Sequence, residues 1–196
     1  MKIYGLTGAP GCGKSTVLKQ FSDLGCATLD ADSLCAELHN TPGGEFHDKL
    51  CVRWGKNAVC ADGTTNRAFV AGIVFRQPEE LQWLENELYP GITELAKRFF
   101  QMQNAKAAVF EVPLLFERKW EIGLAGTIAV WSPAEHQKKR LEERGWSSDE
   151  IQRRCGLQFS AGKKLELADY GIINDGPLEK VKEQCEILNR KLFLNG

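Results

Sequence analysis

The sequence predicts an α/β protein with a five-stranded parallel sheet and helices on both faces. Three observations carry this. Short apolar runs recur along the chain, helix-period segments alternate with them, and a glycine-rich turn joins the first run to the first helix. The 196 residues suffice for one ordinary domain with insertions, and the 43% hydrophobic content supplies a core.

Residues 2–7 read as a buried strand ending in Thr7-Gly8. Residues 15–24 place Val17, Leu18, Phe21 and Leu24 on one helical face, and Gly25 is a natural stop. Residues 27–30 read as a second strand and 31–38 as a helix. The stretch 43–105 reads as a helical insertion, with helices near 66–75, 78–88 and 91–103; Asn66 caps the first, and Pro78 and Pro90 start the others. Its one strand-like patch is Ala58-Val59-Cys60. Continuous apolar runs at 107–112 and 126–131 suit strands covered on both faces. Ser132-Pro133-Ala134-Glu135 reads as a capping box opening a helix to about Arg144, and Ser147-Ser148-Asp149-Glu150 as a second box. Residues 170–173 form the last strand, and a helix starts at Pro177.

The charge balance, 25 basic against 26 acidic residues for a net −1, excludes a protein that lives on duplex nucleic acid or an anionic membrane. No apolar run approaches the ~20 residues that span a bilayer, and Met1–Gly8 is too short and too soon broken by glycine for a signal peptide. Seven cysteines without a C-x-x-C pair, and three histidines in no ligand pattern with them, exclude a structural zinc site. Reduced thiols in the cytoplasm, in a monomer, are the expectation.

Gly8-Ala9-Pro10-Gly11-Cys12-Gly13-Lys14-Ser15 fits the phosphate-binding loop G-x-x-x-x-G-K-[ST] without a mismatch. Gly8, Gly11 and Gly13 let backbone N–H groups wrap phosphate oxygens, and the helix that follows adds the positive end of its dipole. Lys14 sets a compact cation against the β- and γ-phosphates, the Ser15 hydroxyl is a Mg²⁺ ligand, and Cys12 and Thr16 complete the ATP-binding run. Cys12 reads as a small side chain tolerated where the backbone does the binding.

A GTPase would need a base-reading N-K-x-D late in the chain, and none exists; Asn174-Asp175 runs into Gly176-Pro177. A small-molecule kinase needs a carboxylate at the acceptor hydroxyl and cations over the transferring group. Asp30-Ala31-Asp32 closes the second strand at the carboxyl edge of the sheet, and Asp32 can accept a proton from an alcohol or cap the helix. Residues 136–164 carry Lys138, Lys139, Arg140, Arg144, Arg153, Arg154, Lys163 and Lys164 against four acids, which suits a lid over phosphates as well as a solvated face. Glu111 can reach Mg²⁺ through water or sit in a salt bridge; Trp83 and Trp131 read as core, and Trp54 can stack on a base.

Four segments resemble the dephospho-CoA kinase family. They are Leu6–Val17, Leu29-Asp30-Ala31-Asp32, Val112-Pro113-Leu114-Leu115-Phe116-Glu117, and Arg154–Gln158 with Lys164 and Ala168–Gly176. The resemblance implies transfer of the ATP γ-phosphoryl, with Mg²⁺, to the ribose 3′-hydroxyl of dephospho-CoA. It implies Asp32 as base, Lys14 and Arg140 as catalytic cations, Asn174 in ATP binding, and Pro113, Leu114 and Glu117 with Asp32 in acceptor binding. It also implies a core of 1–42, 106–140 and 164–196, a substrate-binding region at 43–105 and a lid at 141–163. The chain departs from the family at Ala9-Pro10, at Cys12 in place of serine, and at Tyr89-Pro90 in place of His-Pro. A nucleoside monophosphate kinase, suggested by Gly-Ala-Pro-Gly, and a nucleotide-binding regulatory module are the rival readings.

Overall fold

The structure, a computed structural model, describes residues 1–194. The chain divides into two compact units, one formed by 1–30 with 103–196 and the other by 31–102.

In the first unit, β1 (Lys2–Gly8), β2 (Ala27–Asp30), β3 (Ala107–Glu111), β4 (Gly126–Trp131) and β5 (Tyr170–Ile173) form one parallel sheet in the order β2-β3-β1-β4-β5. Tyr4, Leu6, Val109, Ile128, Val130 and Ile172, two apart along their strands, belong to one buried cluster. Val17 and Phe21 of α1 (Lys14–Asp23) and Val181, Cys185 and Leu188 of α9 (Leu178–Asn189) complete it. Phe21 is wholly buried, and cutting it to alanine costs about 3–5 kcal/mol. Two of the alternate positions are glycines. A Cβ on Gly5 would meet Leu124 at 2.7 Å, and one on Gly171 would meet Leu165 at 2.5 Å, so the chain packed there comes within backbone reach.

The two capping boxes of this unit behave differently. Ser147 accepts from Glu150 N–H and starts α7 (Ser148–Gly156) as expected. Ser132 does not cap: α6 (Ala134–Glu143) begins after Pro133 with no side-chain cap, because the Ser132 hydroxyl is drawn into the site described below. α8 (Ala161–Leu167) follows, capped by Ser160. Asp169 accepts from the N–H and hydroxyl of Thr127, both at 2.8 Å, pinning the entry of β5 to the start of β4. Gln184 pairs both backbone groups of Ile173, covering the edge of β5 as a neighbouring strand would.

The second unit is helical: α2 (Ala31–Asn40), α3 (Glu45–Trp54), a 3₁₀ turn at Lys56–Ala58, α4 (Arg67–Val74) and α5 (Pro78–Met102). Asn66 caps α4 as expected. Two expectations fail here. α3 was not foreseen, because Gly43-Gly44 and Gly55 frame it like a loop. Pro90 does not start a helix; it lies inside α5, where the packing of Leu84, Ile92, Ala96 and Phe100 outweighs one missing N–H donor. The patch at 58–60 is a single bridge, Val59 to Thr65.

This unit also buries a proton-ordered chain. His47 Nδ1 lies 2.6 Å from Gly43 O, so it must donate. Its Nε2 then accepts from the Thr65 hydroxyl at 3.2 Å, and that oxygen accepts from His39 Nδ1 at 3.1 Å. His47 Nε2 also lies 3.4 Å from His39 O. Burial, with Arg67 and His47 adding to it, pulls the His39 pKa down to about 4. Trp54 Nε1 donates to Glu80 at 2.7 Å and its ring packs edge-on to Trp83 at 4.9 Å, which spends Trp54 inside this unit rather than on a ligand.

Among the described residues no helix is long and apolar enough to cross a membrane, and all seven cysteines are free.

Candidate active site

The strand order fixes where a ligand can enter. From β1 the chain runs to β2 on one side, and from β4 it runs to β5 on the other. β1 and β4 are neighbours, so a crevice opens outside their carboxyl ends. The turn after β1 and the start of α6 after β4 meet there.

The turn is held by its glycines. Gly11 and Gly13 have φ of 77° and 93°, where side chains are disfavoured. A Cβ on Gly11 would lie 2.6 Å from Gln137 O, one on Gly8 would lie 2.7 Å from Val130 O, and one on Gly13 would strike the Asn174 amide. Gly13 caps α1 without a side-chain bond, so the N–H groups of Lys14, Ser15 and Thr16 open the helix with no partner inside it. That is an anion cradle. Lys14 Nζ lies 3.4 Å from Ala9 O, folded over its own loop. Cys12 differs from the rest: its side chain is wholly buried in the core, its N–H donates to Ala9 O at 3.2 Å, and burial raises its pKa. It is packing, not a ligand-facing thiol.

A polar network clamps the turn from outside. Arg140 Nη1 donates to Gly11 O at 3.0 Å and to Ser132 Oγ at 2.9 Å, while its Nη2 is 3.4 Å from Asn174 Oδ1. Asn174 Nδ2 donates to Cys12 O at 2.8 Å, and Ser132 Oγ–H donates to Asn174 O at 2.7 Å. One cation is thus fixed by the ends of β4 and β5 and by the turn. Arg140 also lines a cavity of about 380 Å³ with His136, Lys139, Glu143, Asp175 and Gly176.

The other basic residues of 136–164 are mostly spent elsewhere. Arg154 pairs with Glu150 at 2.7 Å and stacks on Trp146; Lys163 pairs with Glu166, and Lys138 with Glu142. Lys164 is buried with Glu117. Of the lysines and arginines in this stretch, Lys139 and Arg140 line the cavity.

Ser15 is exposed beside Lys14 in the first turn of α1. A single hydroxyl at an anion cradle is a donor set that fits Mg²⁺, which keeps most of its waters. Glu111 is buried at the end of β3, in register with Leu6 of β1 and Asp30 of β2. Asp32 is exposed in the first turn of α2, two residues past the end of β2.

Pro113 and Leu114 leave β3, with Pro113 O accepting from Thr7 Oγ at 3.2 Å. Glu117 turns inward: Oε1 accepts from Phe159 N–H at 2.8 Å and pairs with Lys164 at 3.0 Å. Sequence reasoning missed Ser132 and the Lys164–Glu117 pair. A serine before proline imitates a cap, and a lysine in a basic run imitates a surface residue.

The chain matches the dephospho-CoA kinase family model over residues 2–180. It is 36% identical to the dephospho-CoA kinase of Carboxydothermus hydrogenoformans over 195 residues, covering 97% of this chain and 94% of the relative. The fold is similar to that of TT1252 from Thermus thermophilus, with TM-score 0.83, 32% identity and 97% of each chain covered. It is also similar to the dephospho-CoA kinase from Campylobacter jejuni, with TM-score 0.72, 26% identity, and 99% and 98% of the two chains covered.

Proposed function

Since the chain belongs to the dephospho-CoA kinase family, we propose that its glycine turn holds ATP while the γ-phosphoryl passes to the ribose 3′-hydroxyl of dephospho-CoA, giving coenzyme A and ADP. The observation that carries the site assignment is the Arg140 clamp: a guanidinium bonded to the backbone of an uncapped helix-start turn. Phosphoryl transfer asks a protein chiefly for positioning and neutral balance of charge.

The division of labour follows. N–H groups of the turn and Lys14 bind the triphosphate, and Arg140, held by Ser132 and Asn174, faces the charge that develops in transfer. The cavity beside Arg140 takes the nucleoside end of ATP. Asp32 accepts the proton of the 3′-hydroxyl as its oxygen bonds to phosphorus and the bond to the ADP oxygen breaks. Ser15 would hold Mg²⁺, which when bound offsets phosphate charge. Pro113 and Leu114 belong to the acceptor side, with Glu117 acting through the segment it pins. Residues 43–105 serve acceptor binding, and 141–163 act as the lid that keeps water from the phosphoryl group. The reading is of a cytoplasmic monomer, in keeping with seven free cysteines.

Acceptor profiling with Mg·ATP tests this. Turnover is expected with dephospho-CoA and not with AMP; the reverse preference overturns it.

A further inference from the structure

The mechanism above gives no role to Lys164, which forms a buried ion pair with Glu117. Lys164 of α8 is wholly buried. Its ammonium donates to Pro113 O and to Gln158 Oε1 at 3.3 Å, and pairs with Glu117 Oε1 at 3.0 Å. Three acceptors meet three N–H groups, so the side chain has no freedom left. Pro113 O also takes the Thr7 hydroxyl, one residue before the end of β1. Glu117 Oε1 takes Phe159 N–H, while Oε2 is buried without a hydrogen-bond partner. One cation therefore joins the end of β1, the segment leaving β3 and the residues entering α8.

Cohesion alone does not call for such a device. A buried pair replaced by apolar side chains of similar volume is often neutral or stabilising. The unsatisfied Oε2 adds a cost of about 1–3 kcal/mol. Burial pushes the Lys164 pKa down, the nearby Lys14 adds to that, and the Glu117 carboxylate opposes it. What the pair uniquely supplies is direction: it fixes a carbonyl and a loop to within hydrogen-bond tolerance.

We propose that Lys164 is a positioning residue for the acceptor: through Pro113 and Glu117 it holds the 113–117 segment in register with the end of β1, and it does not serve the nucleotide. The inference rests on the acceptor reading given above. A misplacement of about 1 Å at such a segment is enough to cost on the order of 10²-fold in rate.

The test compares the parent chain with the double variant Glu117→Leu/Lys164→Met and with Glu117→Gln. Lys164→Met alone strands a buried carboxylate and lowers Tm; the double variant removes both charges and regains most of that loss. Glu117→Gln keeps the shape and the acceptor for Phe159, and it serves as the readout if the double variant does not fold. Thermal melting, calorimetric affinity for Mg·ATP, and kcat/KM for dephospho-CoA are measured on each. In the folded variant, kcat/KM for dephospho-CoA is expected to fall at least about fivefold more than ATP affinity does. A smaller excess, including a parallel loss of both or a loss of neither, overturns the proposal, because a merely structural pair would not separate the two substrates. A parent that makes no phosphorylated dephospho-CoA overturns instead the reading on which this one rests.

Discussion

Arg140 Nη1 donates to Gly11 O at 3.0 Å, so the cation we propose for the transferring phosphoryl group is fastened to the backbone of the glycine turn proposed to bind ATP. The same guanidinium reaches Ser132 and Asn174, and Asn174 reaches the next carbonyl of the turn, that of Cys12. The charge and the cradle form one rigid piece. On the proposed assignment, the preorganisation that phosphoryl transfer needs exists before any ligand arrives.

Arg140→Lys keeps the charge but lacks the planar fork that serves three acceptors. It is expected to lower kcat by on the order of 10²-fold with the protein still folded. Ser132→Ala removes one bridge and leaves the Asn174 carbonyl without its donor, which costs about 1–2 kcal/mol of stability and a smaller loss of kcat. Steady-state kinetics and melting curves on the two variants check the order. Equal kcat for Arg140→Lys and the parent contradicts it.

Lys14→Ala leaves the turn in place, because the turn is held by backbone and by Asn174. Turnover is expected to fall by orders of magnitude while the melting temperature stays close to the parent's. Asp32→Asn separates binding from transfer. Calorimetry should find both substrates bound, while quench-flow should find transfer slowed by about 10²-fold or more. Unchanged transfer removes Asp32 from the role of base.

Much of this was legible in the residues, and the reasons differ by element. The strand runs at 107–110 and 128–131 are continuously apolar because both faces are covered, and that signal survives without any structure. The glycine turn is legible because only glycine permits its backbone. Helix α3 was not, since flanking glycines carry the signature of a loop; nor was the passage of α5 through Pro90, where tertiary packing outweighs a local preference. Ser132 and Lys164 were misread for a different reason. Local patterns report what a side chain offers its own helix, and these two are claimed by partners far along the chain, Asn174 and Pro113.

The thiols divide by burial. Burial raises the pKa of Cys12, brings that of Cys26 to about 11 and, with Glu186, brings that of Cys185 to about 12. Iodoacetamide at neutral pH followed by peptide mass mapping should label the exposed Cys60 first and leave these three unmodified while the fold holds. Early labelling of Cys12, or protection of Cys12 by ATP, contradicts its place in the core.

The His39 chain makes the second unit sensitive to acid. His39 has its pKa lowered from 6.5 to about 4, so the folded state binds fewer protons than the unfolded state between those values. Its contribution to stability is whole above about 6.5, declines as pH falls and is lost below about 4. Melting temperatures across that window should fall more steeply for the parent than for His39→Gln. Equal slopes contradict the lowered pKa of His39.

The most direct test of the central claim is the product itself. The protein is incubated with Mg·ATP and dephospho-CoA, and the nucleotide product is analysed by mass and by phosphorus NMR. The account predicts a product heavier by one phosphate, carried as a monoester on the ribose 3′-oxygen, with ADP formed in equal amount. ADP released without that monoester, or phosphate found at another oxygen, contradicts it.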